Sequence, residues 1–381
     1  MEIYKHCTSH KNYLNYEKFL EDLQLLWKES KKPITCSFPQ LPDEIIIKIF
    51  SCLDLKSLSR ISRVNKRLNN LSQDPKFYKS LNIRNIHYTY WRFSFDDIFL
   101  YFASRCKYLT QVDLSFCTFS VSAFNKFLAT CGKLLTDLRL NNCPLINDSA
   151  VHQISTICRN LKGLDLNGCN CVNDQGLSYL INLESLERLH LENVKALNAV
   201  TVCKILQSNR QMRDLNLARM CSILNLNEIA IRLKTLCPNL ERINLAKTNL
   251  PSKAIDALAD CKNLQEVNFR NAWTNCGYTP SLRDSFHRLF SSCQRLEKID
   301  LSFNHLLPSY VLETLTLCKN LKCLMLIKVT SVTPATLRDT CFEILLQCPK
   351  LEEIYLPFMV TNILTDHWNE RYQNVTIFSF D

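Results

Sequence analysis

The sequence predicts an α/β molecule in which a parallel sheet gains one short strand per repeat and a helix returns each strand to the next, behind a small helical unit. Three observations predict it. A phrase, usually a Cys, two mostly polar residues and then Leu-x-x-Leu-x-Leu, recurs in ten copies from Cys106 to Leu356. Between copies, apolar residues fall three and four apart, as in Val151, Ile154 and Ile157, which is the spacing of one helical face. Residues 38 to 83 have a different texture, with helix-start signals and short apolar runs but no such phrase.

Composition limits the function classes. The 381 residues carry a formal charge of +10, 46% apolar residues and only 5 glycines. A long packed array fits this; extended disorder does not. The charge is moderate for the length and favours acidic partners weakly. No apolar run approaches the roughly 20 residues that span a bilayer. Of the 20 cysteines, eight (Cys106, Cys131, Cys158, Cys237, Cys261, Cys293, Cys318, Cys348) share a slot at the end of the helical return, and Cys117, Cys143 and Cys169 share a bend after the strand. Those slots point inward, so the thiols read as small buried hydrophobes with a weak donor. Reduced thiols at that density imply the cytosol or nucleus.

Taken in order, residues 1 to 37 hold a candidate helix with Tyr16, Phe19, Leu20, Leu23, Leu26 and Trp27 on one face, then a linker at Lys31 to Pro33. A mitochondrial presequence is argued against by the absence of Arg before Arg60 and by Glu17, Glu21 and Asp22. In residues 38 to 83, Pro42 sits where a first helical turn needs no amide donor, with Asp43 and Glu44 beside the positive helix end. Asp54 is placed to cap a second helix through Leu58 and Ile61, and Val64, Leu68 and Leu71 mark a third. So small a unit leaves apolar side chains uncovered, which makes them an interface.

This segment resembles the F-box. The resemblance rests on Leu41-Pro42-Asp43-Glu44, the Ile49-Phe50 and Leu53-Asp54 pairs, Leu58, the run from Arg60 to Val64 and Asp74-Pro75. Asn65 stands where a Cys is common, and Leu68 and Tyr78 where the family often has Trp, mostly volume-filling positions. The resemblance implies docking on a Skp-type adaptor, and through it on cullin and a RING subunit, by way of Leu41, Pro42, Ile45, Ile49, Phe50, Leu53 and Leu58.

Residues 84 to 105 carry the aromatics His87 to Trp91 and a helix from about Asp96 to Ser104. With Phe119, Phe124 and Phe127 they are similar to the F-box/leucine-rich-repeat protein 4 branch, whose members carry a long N-terminal extension and associate with mitochondria. This chain lacks that extension, so a mitochondrial surface is implied by resemblance alone.

The ten copies centre on Val112, Leu138, Leu164, Leu189, Leu215, Ile243, Val267, Ile299, Leu324 and Ile354, at spacings of 24 to 32 residues. That period is the leucine-rich-repeat range or just beyond it, so the array over residues 84 to 360 is expected to be a right-handed solenoid with a curved parallel sheet. Residues flanking each buried centre face the concave side. There the middle copies place Arg188, His190, Arg242, Arg270 and Lys298, and the end of the array places Phe303, Met325, Tyr355 and Phe358. A basic middle and an apolar end suit an acidic protein segment with hydrophobic anchors. Residues 361 to 381, with Trp368, Tyr372 and a last strand, are expected to cap the stack.

No catalytic constellation is present. Gly-rich phosphate loops, His-Glu-x-x-His and Gly-x-Ser-x-Gly are absent, and Cys7 with His10 lies in the first ten residues, where disorder rather than a nucleophile-base or metal pair is expected. The expected role is a non-catalytic substrate receptor of a Skp-cullin-F-box ubiquitin ligase, with no cofactor and no metal. The rivals are an F-box scaffold outside a ligase and a stand-alone binding array. Asp113, Asp165, Asp214 and Asp300 among the concave strands speak against nucleic acid.

Overall fold

A computed structural model describes residues 41–84, 95–194, 197–220, 225–273, 280–330, 332–361 and 374–380. The expected helix at Tyr16 to Trp27, the Cys7 and His10 pair, the His87 to Trp91 aromatics and the cap residues Trp368 and Tyr372 lie outside them. The chain forms two compact units, which divide at Ser80 apart from Ser104–Tyr108, grouped with the first.

The first unit holds helices α1 (Asp43–Phe50), α2 (Leu55–Ile61) and α3 (Lys66–Ser72) and a 3-10 turn at Pro75–Tyr78. Each start has a local cause. Pro42 precedes α1, whose first turn carries Asp43 and Glu44. Asp54 accepts the amide of Ser57 at 2.7 Å, and Asn65 that of Leu68 at 2.8 Å. Arg67 donates to Asp43 at 2.6 Å and to the Leu41 carbonyl at 2.5 Å, strapping α3 to the start of α1. The core consists of Ile46, Phe50, Leu58, Leu68 and Tyr78. The departures therefore divide: Leu68 and Tyr78 fill volume, whereas Asn65 is an exposed helix cap.

The second unit is built on one twelve-stranded sheet with strands in sequence order, the expected solenoid. Its elements are β1 (Ser80–Asn82), α4 (Phe95–Ala103), β2 (Gln111–Asp113), α5 (Val121–Cys131), β3 (Asp137–Arg139), α6 (Asp148–Ile157), β4 (Gly163–Asp165), α7 (Asp174–Ser178) and β5 (Arg188–His190). They continue with α8 (Ala199–Ser208), β6 (Asp214–Asn216), α9 (Leu226–Leu236), β7 (Arg242–Asn244), α10 (Ser252–Leu258), β8 (Glu266–Asn268), α11 (Pro280–Ser292) and β9 (Lys298–Asp300). The last are α12 (Ser309–Thr314), β10 (Cys323–Met325), α13 (Pro334–Gln347), β11 (Glu353–Pro357) and β12 (Thr376–Phe380).

Every strand from β2 to β12 pairs in parallel, and the ten repeat centres lie in one register ending at Ile377. All ten are buried. The sheet also begins one strand before the first copy of the phrase and ends one strand after the last.

Three devices recur along the array. At the strand end, Asp113, Asp165, Asn216, Asn244, Asn268 and Asp300 each accept the amide two residues on, at 2.9–3.0 Å. Four residues beyond each of the first nine centres the backbone turns left-handed, at Phe116, Asn142, Gly168, Asn193, Arg219, Lys247, Asn271, Phe303 and Lys328, with φ between 51° and 68°. At the next residue Cys117, Cys143 and Cys169 donate Sγ–H to the carbonyls of Ile83, Leu114 and Leu140 in the preceding repeat, at 3.0–3.1 Å. In the eighth copy Asn304 takes this slot and donates to the carbonyls of Phe269 and Leu301. All eleven slot cysteines are buried. Burial pushes the Cys158 and Cys169 thiols up to about 12 and Cys131 up to about 11, so they remain protonated donors.

Candidate interaction surfaces

The seven residues expected to contact an adaptor separate by burial. Phe50 and Leu58 are each 2% exposed and pack inside the first unit. Ile45 and Ile49 are 41% and 44% exposed, four residues apart and so on one face of α1. Pro42 is exposed, Leu41 and Leu53 are half-buried. Val64, 52% exposed, is a further uncovered apolar side chain that the sequence pattern assigns to a buried helical face. Two isoleucines and a valine are thus left exposed outside the core of the first unit.

On the concave strands of the second unit, the expected basic middle is present but already matched with carboxylates. The position before each centre reads Asp137, Gly163, Arg188, Asp214, Arg242, Glu266 and Lys298 on successive strands, alternating in sign. Neighbouring strands lie about 4.8 Å apart, so each charge faces opposite ones. Arg188 reaches over Gly163 to pair with Asp137. A Cβ at Gly163 would meet Asp137 Oδ1 at 2.7 Å and the Arg188 guanidinium at 2.9 Å, so a larger residue would push the ends of these two side chains aside. Arg242 Nε lies 2.9 Å from Asp214 Oδ2, and His190 Nε2 lies 3.2 Å from Asp214 Oδ1.

Burial favours neutral forms in this cluster, and pairing opposes it. Burial draws the His190 pKa down, but Asp214 and Asp165 outweigh it and the net shift is upward, with Arg242 opposing. For Asp214, burial raises the pKa, while His190 and Arg242 overcome it and bring it below the carboxylate range. Asp165 and Asp300 are raised by burial. A second column of ion pairs runs alongside: Lys162 with Glu187 at 3.0 Å, Arg213 with Glu241 at 2.6 Å and Lys322 with Glu297 at 2.9 Å.

The remaining expected site residues gather toward the C-terminal strands. Lys298 is exposed and Met325 half-buried. The Arg270 guanidinium lies 4.0 Å from the Phe303 ring centre, and Lys328 Nζ 5.9 Å from it. Tyr355 stacks on Phe378 of β12 at 4.4 Å and 13°, near Phe380 at 5.8 Å, and its hydroxyl donates to Glu353 at 3.1 Å. Phe358 and Met359, 51% and 69% exposed, stand just beyond β11. The structure thus places Arg188, His190 and Arg242 in one self-neutralised ladder, Arg270 with Phe303, and Tyr355 in an aromatic stack. The alternation of sign was readable once the repeats were aligned; the stack was not, because it needs the register of β12.

Among the described residues no group of three or more His, Cys, Asp or Glu is arranged to hold a metal ion, and no helix is long and apolar enough to cross a membrane.

Comparison with known proteins agrees with this architecture. Residues 38–84 match the family model described as F-box-like. A chain in the crystal structure of the yeast Rad7 and Elc1 complex is similar over 97% of this chain and 98% of that one, at 17% identity and a TM-score of 0.61. A leucine-rich repeat-containing protein, LegL7 from Legionella pneumophila, is similar over 75% of this chain and 83% of its own, at 16% identity and a TM-score of 0.43.

Proposed function

We propose that this chain, an F-box-like segment followed by a leucine-rich-repeat array, is the substrate-recognition subunit of a Skp-cullin-F-box ubiquitin ligase. The observation that carries the reading is the F-box-like segment itself, with Ile45, Ile49 and Val64 exposed on a unit whose core is complete without them. Such side chains gain about 1.5–3 kcal/mol each when fully covered, enough together for a specific contact. The structurally similar yeast chain was crystallised in a complex of two proteins, Rad7 and Elc1, which is consistent with a partner-binding role here.

On this reading the adaptor links the chain to cullin and a RING subunit, while the array binds the protein to be ubiquitinated for proteasomal degradation. The chain contributes proximity: holding the target near the ubiquitin-charged enzyme raises its effective concentration and needs no catalytic side chain here. The array offers twelve strands, about 50 Å of sheet at 4.8 Å per strand, ample for a standard protein interface.

Adaptor capture tests the reading. The full chain should bring down a Skp-type adaptor, and an Ile45→Asp, Ile49→Asp variant should lose it at least tenfold while its circular dichroism and melting temperature stay unchanged. Equal capture by both would remove the basis for the proposal.

A further inference from the structure

In the strand ladder Arg188 is paired with Asp137 and Arg242 with Asp214. Three cations at or beside the bends of the sixth, seventh and ninth copies, Lys247, Arg270 and Lys328, make no ion pair among the described residues. The bend segments themselves lack acids. Residues 244–255, 267–283, 301–312 and 324–338, which run from strand ends into the following helices of the sixth to ninth copies, contain no Asp or Glu. The second to fourth copies differ, with Asp148 and Asp174 at the helix starts and Glu192 in between, whereas residues 114–131 and 215–227 of the first and fifth copies also lack acids.

Backbone geometry makes this a row. Lys247 N donates to the Arg270 carbonyl at 2.7 Å, Asn271 N to Ser302 at 2.9 Å and Phe303 N to Ile327 at 2.7 Å, so adjacent bends are hydrogen-bonded in register. Lys247, Phe303 and Lys328 occupy the left-handed slot with φ of 55°, 62° and 53°, so the shared conformation projects their side chains alike. Gly or Asn fits this slot at less cost, as at Asn142, Gly168, Asn193 and Asn271, whereas Phe116 and Arg219 also occupy it in the first and fifth copies. In the sixth, eighth and ninth copies Lys247, Phe303 and Lys328 are large side chains held in a conformation that disfavours them, which points to a surface that contacts something.

We infer that the row Lys247, Arg270, Phe303 and Lys328 binds an extended acidic peptide segment. Three strand spacings separate Lys247 from Lys328, about 14 Å, the length of four or five extended residues. The Phe303 ring, already under the Arg270 guanidinium, offers an apolar face between the cations, so the segment combines carboxylate or phosphorylated side chains with an apolar residue at its middle. A peptide is favoured over a polynucleotide because half-buried Glu266, Asp214 and Glu353 line the adjacent strand column and would repel a continuous line of phosphates. The inference rests on the array being the partner-binding part of the chain and is independent of adaptor docking.

The test uses the full chain and labelled decapeptides in fluorescence anisotropy at about 50 and 200 mM salt. One peptide carries four glutamates around a central phenylalanine, one replaces the glutamates with phosphoserines, one with lysines, and a ten-nucleotide single strand is the fourth probe. The acidic peptides should bind, more weakly at higher salt, and the better of the two identifies the anion. A Lys247→Asn, Arg270→Gln, Lys328→Asn variant, with Asn chosen because it tolerates the left-handed slot, should lose at least tenfold; Arg139→Gln, on an earlier strand, should not. Undiminished binding by the triple variant, binding of the lysine peptide, or binding of the oligonucleotide in preference to both acidic peptides would each overturn the inference. Adaptor capture by the same triple variant should be unchanged, so a failure here is distinguishable from a failure of the ligase reading.

Discussion

At the scale of single residues, Gly163 and Lys247 show how backbone and charge constrain one another. Gly163→Ala places a methyl group 2.7 Å from Asp137 Oδ1 and 2.9 Å from the Arg188 guanidinium, the mobile ends of two side chains, so the pair should move aside and stability should change by less than about 1 kcal/mol; a loss of several kcal/mol would mean that the pair is held rigidly. Lys247→Gly removes a non-glycine residue from φ of 55° and should stabilise the fold by about 0.5–1 kcal/mol, since a left-handed side chain costs more than the flexibility that glycine adds. Denaturant midpoints measure both. His190 adds a pH signature. Its pKa is raised on folding, so its contribution is fully present below about 6.5, the unfolded value, and is lost as pH rises through the folded value. The stability difference between wild type and His190→Gln should therefore shrink on going from pH 6 to pH 8, and a difference that grows would reverse the assignment of Asp214 as its partner.

At the scale of elements, much was legible in advance. The Leu-x-Leu alternation located ten strands because one face of each must be buried, and the register of their centres is the one the phrase implies. Asp54 was legible as a helix cap, whereas in the array Asn147, Asn173, Asn198 and Asn225 each accept an amide of the helix they open, a role the repeat phrase does not mark. Replacing Asn147 with Ala should cost about 1 kcal/mol in a denaturant titration. The left-handed slot was not legible, because Phe, Arg and Lys fill it as well as Asn and Gly, and residue type alone gives no warning. Nor was it legible which cations are paired, because that depends on which side chains face one another across strands, and β1 lacks the repeat phrase altogether. In the first unit, residue types drew Phe50 and Leu58 into the same list as Ile45 and Ile49; only the packing separates a buried pair from an exposed one.

At the scale of the whole molecule, the cysteines and the F-box-like segment carry testable consequences. The buried slot thiols are held protonated and should resist alkylation at pH 7–8 until the array unfolds, while exposed Cys52 and Cys171 react in the native chain. Peptide mapping of the alkylated protein distinguishes the two classes, and rapid native labelling of Cys143 or Cys169 would contradict the closed ladder of Sγ–H donors. The central claim is that the first unit docks on an adaptor that carries cullin, and that the array presents a target to the assembly. It is tested most directly by co-purifying the full chain with a Skp-type adaptor and cullin and measuring the mass of the complex by light scattering. A stoichiometric complex of all three, abolished by Ile45→Asp with Ile49→Asp, is the predicted result; adaptor bound without cullin, or neither bound, would contradict the ligase account.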